Sequence, residues 1–210
     1  MPDFILLDGC VDSAPGQTLR DALTHMAGFV GTIRTDKRAG QVDMEGYGLV
    51  RSLVARSLNP RRNQVDYDRL IEHLVIHPYI RRQSPDTRII VLIPEDLYAG
   101  NLNWVHGGSR NFAGRNIVLV STKRLYPNGR FDPIFFKYIM IHEFGHAFGA
   151  ATKGRTNTYE ELGSHCLNDC VMKQDLGADS GRARFHELHR KNKTFCPQCK
   201  NEILRRHRPR

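Results

Sequence analysis

Residues 131–149, FDPIFFKYIMIHEFGHAFG, constrain this chain more than any other stretch. Asp132 suits an N-cap, Pro133 suits the first helical position, and Gly149 can end a helix in a left-handed conformation. Tyr138, Ile139, Ile141 and Phe144 are apolar, so the helix must be largely buried. Within it, His142 and His146 are four apart and share a face. Two imidazoles and the carboxyl of Glu143 are costly on a buried helix unless something satisfies them. One zinc ion would satisfy both imidazoles, and Glu143 could then take a proton from a zinc-activated water. With ten His and eight Glu in 210 residues, only about 0.02 matches to His-Glu-x-x-His arise by chance. A pair of hydrogen-bonded core histidines is the plain alternative. His73 and His77 share the spacing but have Leu74 where a Glu would stand and Pro78 directly after, so they read as surface or capping groups.

A catalytic zinc needs a third protein ligand and one open position. The chain must supply that ligand after Gly149, and the candidates are Glu160, Glu161, His165 and Asp169. Four cysteines follow, as Cys166-x3-Cys170 and Cys196-x2-Cys199 with 25 residues between the pairs. Two short pairs suit a four-thiolate structural zinc site. Cys10 is left over and reads as a free buried thiol.

Composition limits the class. Hydrophobic residues make up 40% and charged residues 25%, ordinary globular values. No apolar run approaches the roughly 18 residues that would cross a bilayer, so no membrane role is expected. The opening MPDFILLDG lacks the basic start of a secretory leader, and the expected location is cytoplasmic. The net charge of +9 sits almost wholly in residues 182–210, which hold ten Lys/Arg against two Glu. Such a tail could touch nucleic acid, although a solvated end explains it as well and only Phe185 and Phe195 are there to stack on bases.

The pattern along the chain is mixed α and β. Residues 4–7 and 29–33 read as strands, with a helix between them after the Pro15-Gly16 turn. Residues 48–58 and 66–77 read as helices ended by Asn59-Pro60 and Pro78. Residues 87–93 and 116–122 are continuous β-branched runs, as in strands buried on both faces. Residues 94–115 and 150–164 read as loops, and the cysteine-bearing end as a small irregular part.

His142-Glu-x-x-His146-x-x-Gly149, His165-Cys166, Cys170-Val-Met172 and Cys196-x-x-Cys199 together resemble the archaemetzincins, a branch of the metzincin zinc peptidases. Pro94-Glu-Asp96-Leu97-Tyr98, Asn101-Leu-Asn103-Trp-Val-His106-Gly107, Val120-Ser-Thr122-x-Arg124-Leu125 and Gln64-x-Asp66-Tyr67 support the likeness, which covers roughly residues 60–203. The resemblance implies that His142, His146 and His165 bind catalytic zinc and that Glu143 is the general base. It implies Met172 as the Met-turn residue beneath the metal, and Cys166, Cys170, Cys196 and Cys199 around a second, structural zinc. The chain departs from the family pattern in two places. Thr152 stands where the third His usually comes, so His165 follows some 13 extra residues. The first cysteine pair also has three intervening residues where the family often has four.

The implied fold is α+β and metzincin-like. Residues 1–149 would form an N-terminal subdomain with a twisted mixed sheet and the active-site helix. Residues 150–210 would form a C-terminal subdomain with the third ligand, the Met-turn and the four-cysteine site, the two making one catalytic domain. The implied activity is zinc-dependent hydrolysis of peptide or protein substrates, with a peptide lying along residues 116–122 as an edge strand. The alternatives are a catalytically silent zinc protein that binds peptides, and a basic four-cysteine module that binds nucleic acid.

Overall fold

The fold is that of a computed structural model, which describes residues 3–10, 14–30, 34–35, 44–85, 87–112, 115–160, 163–175 and 177–207. Its centre is a five-stranded sheet. β1 (Asp3–Asp8) lies between β2 (Arg34–Thr35) and β5 (Arg88–Ile93), and β5 pairs with β8 (Arg115–Ser121), all parallel. β7 (Gly107–Phe112) closes the order β2-β1-β5-β8-β7 as an antiparallel edge.

The apolar runs of β5 and β8 are continuous because helices cover both faces of the sheet. Strand alternation divides their side chains between two cores. Ile90, Leu92, Val118 and Val120 join one, with α1 (Ala14–Val30) and α5 (Pro133–Ala147). Ile89, Val91, Ile93, Ile117 and Leu119 join the other, with α2 (Met44–Ser57) and α3 (Tyr67–Ile76). A smaller sheet of β3 (Leu58–Asn59), β4 (Gln64–Asp66) and β6 (Leu97–Tyr98) flanks α3. The short α4 (Pro78–Arg81) follows α3, and a hairpin of β9 (Thr158–Tyr159) and β10 (His165–Cys166) follows α5. The chain ends on α6 (Ala178–Arg190) and α7 (Pro197–His207).

Four readings change. Residues 29 and 30 are helical, not strand: the stripe Leu19, Ala22, Leu23 and Met26 continues to Phe29, which packs on the same core. Residues 31–33 lie outside the described residues. Pro15 and Gly16 sit inside the first turn of α1, where a proline costs no helical hydrogen bond. Residues 116–122 do not form the edge strand, because β8 has β5 on one side and β7 on the other. The edge is the polar sequence GGSRNF, whose outer half is exposed. The C-terminal part holds two helices beside its irregular segments. Their short stripes, Phe185 and Leu188 in α6 and Cys199 and Ile203 in α7, are hidden among basic residues.

Candidate active site and metal centres

α5 positions the first two imidazoles. The Asp132 side chain accepts from Phe135 N at 2.9 Å and caps its start. The same carboxylate receives His186 Nε2 at 2.9 Å and lies 3.4 Å from Arg182, which ties α6 to this end. Consecutive residues Tyr138–Ile141 are all buried, so the helix is enclosed on every side. It ends as a Schellman motif: Ala150 N reaches Gly145 O at 2.7 Å, Gly149 N reaches His146 O at 2.9 Å, and Gly149 has φ of +84°.

The hairpin β9–β10 then returns the chain and brings His165 against the helix. His146 Nε2 lies 3.2 Å from His142 Nε2 and 3.3 Å from His165 Nε2. His142 Nδ1 donates to Val171 O at 2.7 Å and His165 Nδ1 to Gly163 O at 3.1 Å. Those bonds fix the tautomers and leave the Nε2 lone pairs free. Burial, then the neighbouring imidazoles, pushes His142 well below its ordinary value and His146 down to about 3. Burial also lowers His165. His142 and His165 thus turn acceptors towards His146 Nε2, and the three Nε2 atoms converge on one point as the ligands of a single cation would. Glu143 is buried, its Oε2 has no partner, and burial pushes its carboxyl up to about 8.

The other candidates for third ligand are placed elsewhere. Glu160 Oε1 accepts from Gly154 N at 2.7 Å, within the loop that precedes β10. Asp169 pairs with Lys193 at 3.1 Å. Glu161 lies outside the described residues. His77 accepts from Tyr79 N and caps α4, and His73 bonds Ser57 Oγ.

The four cysteines converge in a buried cluster with all sulfurs within 4.8 Å of one another. Cys166 Sγ is 3.7 Å from Cys196 Sγ, and Cys170 Sγ is 4.0 Å from Cys199 Sγ. Disulfides need about 2.05 Å. A tetrahedron with arms of about 2.3 Å has edges of about 3.8 Å, so the spacing fits zinc. The Cys199 thiol donates to Cys170, pushing Cys170 down to about 5 and its partner up. Asn168 Nδ2 and Arg155 Nη2 each reach a sulfur at 3.4 Å, Cys196 and Cys199 respectively. Arg155 also pairs with Glu202 at 2.6 Å, tying the 150–164 segment to α7. No sequence signal marked Asn168 or Arg155, because neither is a ligand type at ligand spacing.

Met172 is fully buried, and a Cβ built on Gly145 would fall 2.2 Å from its Sδ. Gly145 therefore leaves room for the methionine directly under α5, between the two helical histidines in sequence. Cys10 is buried, and burial pushes its thiol up to about 12. The upstream motifs build a scaffold. Arg124 grips Asp96 through two bonds of 2.9 and 2.7 Å, Gln64 adds a third at 2.9 Å, and Tyr98 donates to Asp66 at 2.8 Å.

A mixed sheet backed by a helix that carries His142, Glu143 and His146, with a third imidazole from downstream, defines the class as a metallopeptidase-type fold. The model of peptidase family M54 matches residues 25–205. The chain is 32% identical over 146 residues to an archaemetzincin of Nanoarchaeum equitans, a stretch that takes in 70% of this chain and 66% of that protein. It is 28% identical over 190 residues to an archaemetzincin of Methanopyrus kandleri, 87% of this chain and 83% of that one. Its fold is similar to the crystal structure of the Methanopyrus kandleri archaemetzincin, with a TM-score of 0.64 at 21% identity over 98% of this chain and 93% of that one. A zinc-dependent peptidase from Methanocorpusculum labreanum superposes with a TM-score of 0.62 at 19% identity, over 97% of this chain and 100% of that one. The chain belongs to peptidase family M54, the archaemetzincin family of zinc metallopeptidases. Among the described residues no helix is long and apolar enough to cross a membrane.

Proposed function

We propose that this protein hydrolyses peptide bonds at a zinc ion held by His142, His146 and His165, with Glu143 as the base. The observation that carries the reading is the convergence of three imidazole Nε2 atoms, two of the gaps being 3.2 and 3.3 Å, beside a buried carboxyl whose Oε2 has no partner among the described residues. Zinc bound there supplies a Lewis acid, which acidifies water and polarises a carbonyl.

The protein's own groups do the rest. Glu143 takes the proton of the attacking water and passes it to the leaving amine. A cation among the imidazoles favours its ionised form and counters the upward push of burial. Among the described residues no strand pairs with the outer edge of β7, and an extended substrate pairs with it there as an added strand. The four cysteines hold a second zinc that fixes residues 166–172 and 196–199. Residues 1–149 and 150–210 act as two subdomains of one catalytic domain.

The test is metal analysis and peptide cleavage on wild type beside Glu143→Ala. Two zinc ions in both proteins are expected, with turnover lower by at least about 10²-fold in the variant. A variant that cleaves like wild type overturns the mechanism.

A further inference from the structure

The guanidinium of Arg155 serves two partners at once. Its side chain is only 8% exposed; Nη1 pairs with Glu202 at 2.6 Å, and Nη2 donates to Cys199 Sγ at 3.4 Å. The Glu202 oxygen that receives Nη1 also accepts from Ala151 N at 2.9 Å. Arg155 thus stands between a carboxylate of α7 and the thiol cluster. Fastening its segment to α7 needs only the Glu202 pair, which leaves the bond to sulfur without a purpose in that tie.

The backbone around Arg155 leads to His165. The Arg155 carbonyl accepts from Thr158 Oγ1 at 2.8 Å. Thr158 and Tyr159 are β9, and they face Cys166 and His165 across the hairpin. Asn157 adds a second hold. Its carbonyl accepts from Leu167 N at 3.1 Å, and its side chain donates to Asn168 Oδ1 at 2.7 Å. Asn168 Nδ2 in turn donates to Cys196 Sγ at 3.4 Å. Residues 155–159 are therefore connected to the sulfurs of Cys196 and Cys199 and to the strand that carries His165.

Four buried thiolates around one zinc ion hold more negative charge than the ion offsets. N–H donors to the sulfurs counter that excess and orient the ligands. Arg155 keeps its charge at every working pH, and its planar fork reaches a carboxylate and a sulfur together, which the single ammonium of lysine does not.

We propose that Arg155 is a positioning residue for both metal centres: its guanidinium holds the Cys199 sulfur of the four-thiolate site, and through that bond the filled site steadies the β9–β10 hairpin that presents His165. The proposal rests on the zinc reading above but not on peptide cleavage, so a failure of the peptidase activity shows separately.

The experiment compares wild type, Arg155→Gln, Arg155→Lys and Glu202→Gln. Thiolate-to-cobalt charge-transfer absorption of cobalt-substituted protein reports the cysteine site alone. Metal loss to a chelator, followed by that band and by total metal content, separates the two centres. In Arg155→Gln the band should move to longer wavelength, because a hydrogen bond that stabilises the sulfur electrons is gone. Both centres should lose metal at least about 10-fold faster, the scale on which partners of metal ligands act. Arg155→Lys keeps the charge without the fork and should show the same band shift, which serves if the glutamine variant does not fold. Glu202→Gln should keep the wild-type band, since the guanidinium stays on Cys199. An unmoved band in the Arg155 variants overturns the proposal, and with a lower melting temperature it marks Arg155 as a tie to α7 only. Faster loss from the thiols with wild-type retention at the imidazoles overturns it as well. A wild type without thiolate-to-cobalt absorption overturns the zinc reading of the cysteines and this proposal together.

Discussion

His165 and Cys166 are consecutive in β10, and their side chains leave the strand on opposite faces, one joining the imidazole cluster and the other the thiol cluster. A second link runs through the Met-turn. Cys170 is in the thiol cluster, the Val171 carbonyl orients His142, and the Met172 carbonyl accepts from Cys166 N at 2.9 Å. The two candidate metal centres thus share backbone at two places, so disorder in one must reach the other.

That sharing sets an expectation for Cys199→Ser. A structural zinc is coupled to local folding. Metal content should fall from two towards one, the melting temperature should drop, and the remaining zinc should be removed faster by a chelator than in wild type. A variant with two metals and the wild-type melting temperature would show that the thiols are not a zinc site.

His165→Ala removes the only member of the imidazole cluster that α5 does not carry. Zinc should be lost from this site while the cysteine-bound ion stays, and activity should return only with excess zinc. Glu160→Gln should leave metal content as it is, since Glu160 is engaged with Gly154 N. Metal analysis after dialysis decides it: loss in the Glu160 variant with retention in the His165 variant would reassign the ligand.

Gly145→Ala places a methyl 2.2 Å from Met172 Sδ and 3.0 Å from the Phe195 ring. Overpacking of this kind costs about 1–3 kcal/mol. Denaturant unfolding should show that loss, and the shifted Met-turn should weaken zinc binding, because Val171 orients His142. Wild-type stability in this variant would mean that Met172 does not pack under the helix.

His106 gives a pH dependence. Its ring lies edge-on to Trp104 and Phe135, each at 4.9 Å between centroids, and its Nδ1 is buried without a partner. Burial, then Arg124 and Arg182, lowers it to about 4 from the ordinary 6.5. Between those values the unfolded chain binds the extra proton and the folded chain does not, so stability falls as pH drops from about 6.5 to about 4. Urea unfolding of zinc-loaded protein at pH 7 and pH 5 should show a smaller loss for His106→Phe than for wild type. Equal losses would remove His106 as a source of acid sensitivity.

Much of the site was legible because its signals are local. The i, i+4 spacing that puts His142 and His146 on one face is a property of a single helix, and so are the Asp132 cap and the Gly149 stop. The close Cys-x3-Cys and Cys-x2-Cys pairs needed no knowledge of the rest of the chain. The edge strand was not legible: β7 is polar and begins with two glycines, and being an edge depends on which strand pairs beside it rather than on its own residues.

The sequence by itself determined the chemistry on offer: two imidazoles and a carboxyl on a buried helix, four thiols in two pairs, and a basic end. Only the tertiary structure decided which downstream group meets α5. Glu160, His165 and Asp169 are all plausible by composition, and loop closure over so few residues costs each of them nearly the same. The β9–β10 pairing turns His165 towards α5 and Cys166 towards the thiol cluster, while Glu160 bonds within its own loop and Asp169 pairs with Lys193. His186 and the Asp132 carboxylate likewise meet, at 2.9 Å across 54 positions of sequence, only because α6 packs on α5. Such meetings come from the packing of whole elements, and the separate periodicities of those elements do not contain them.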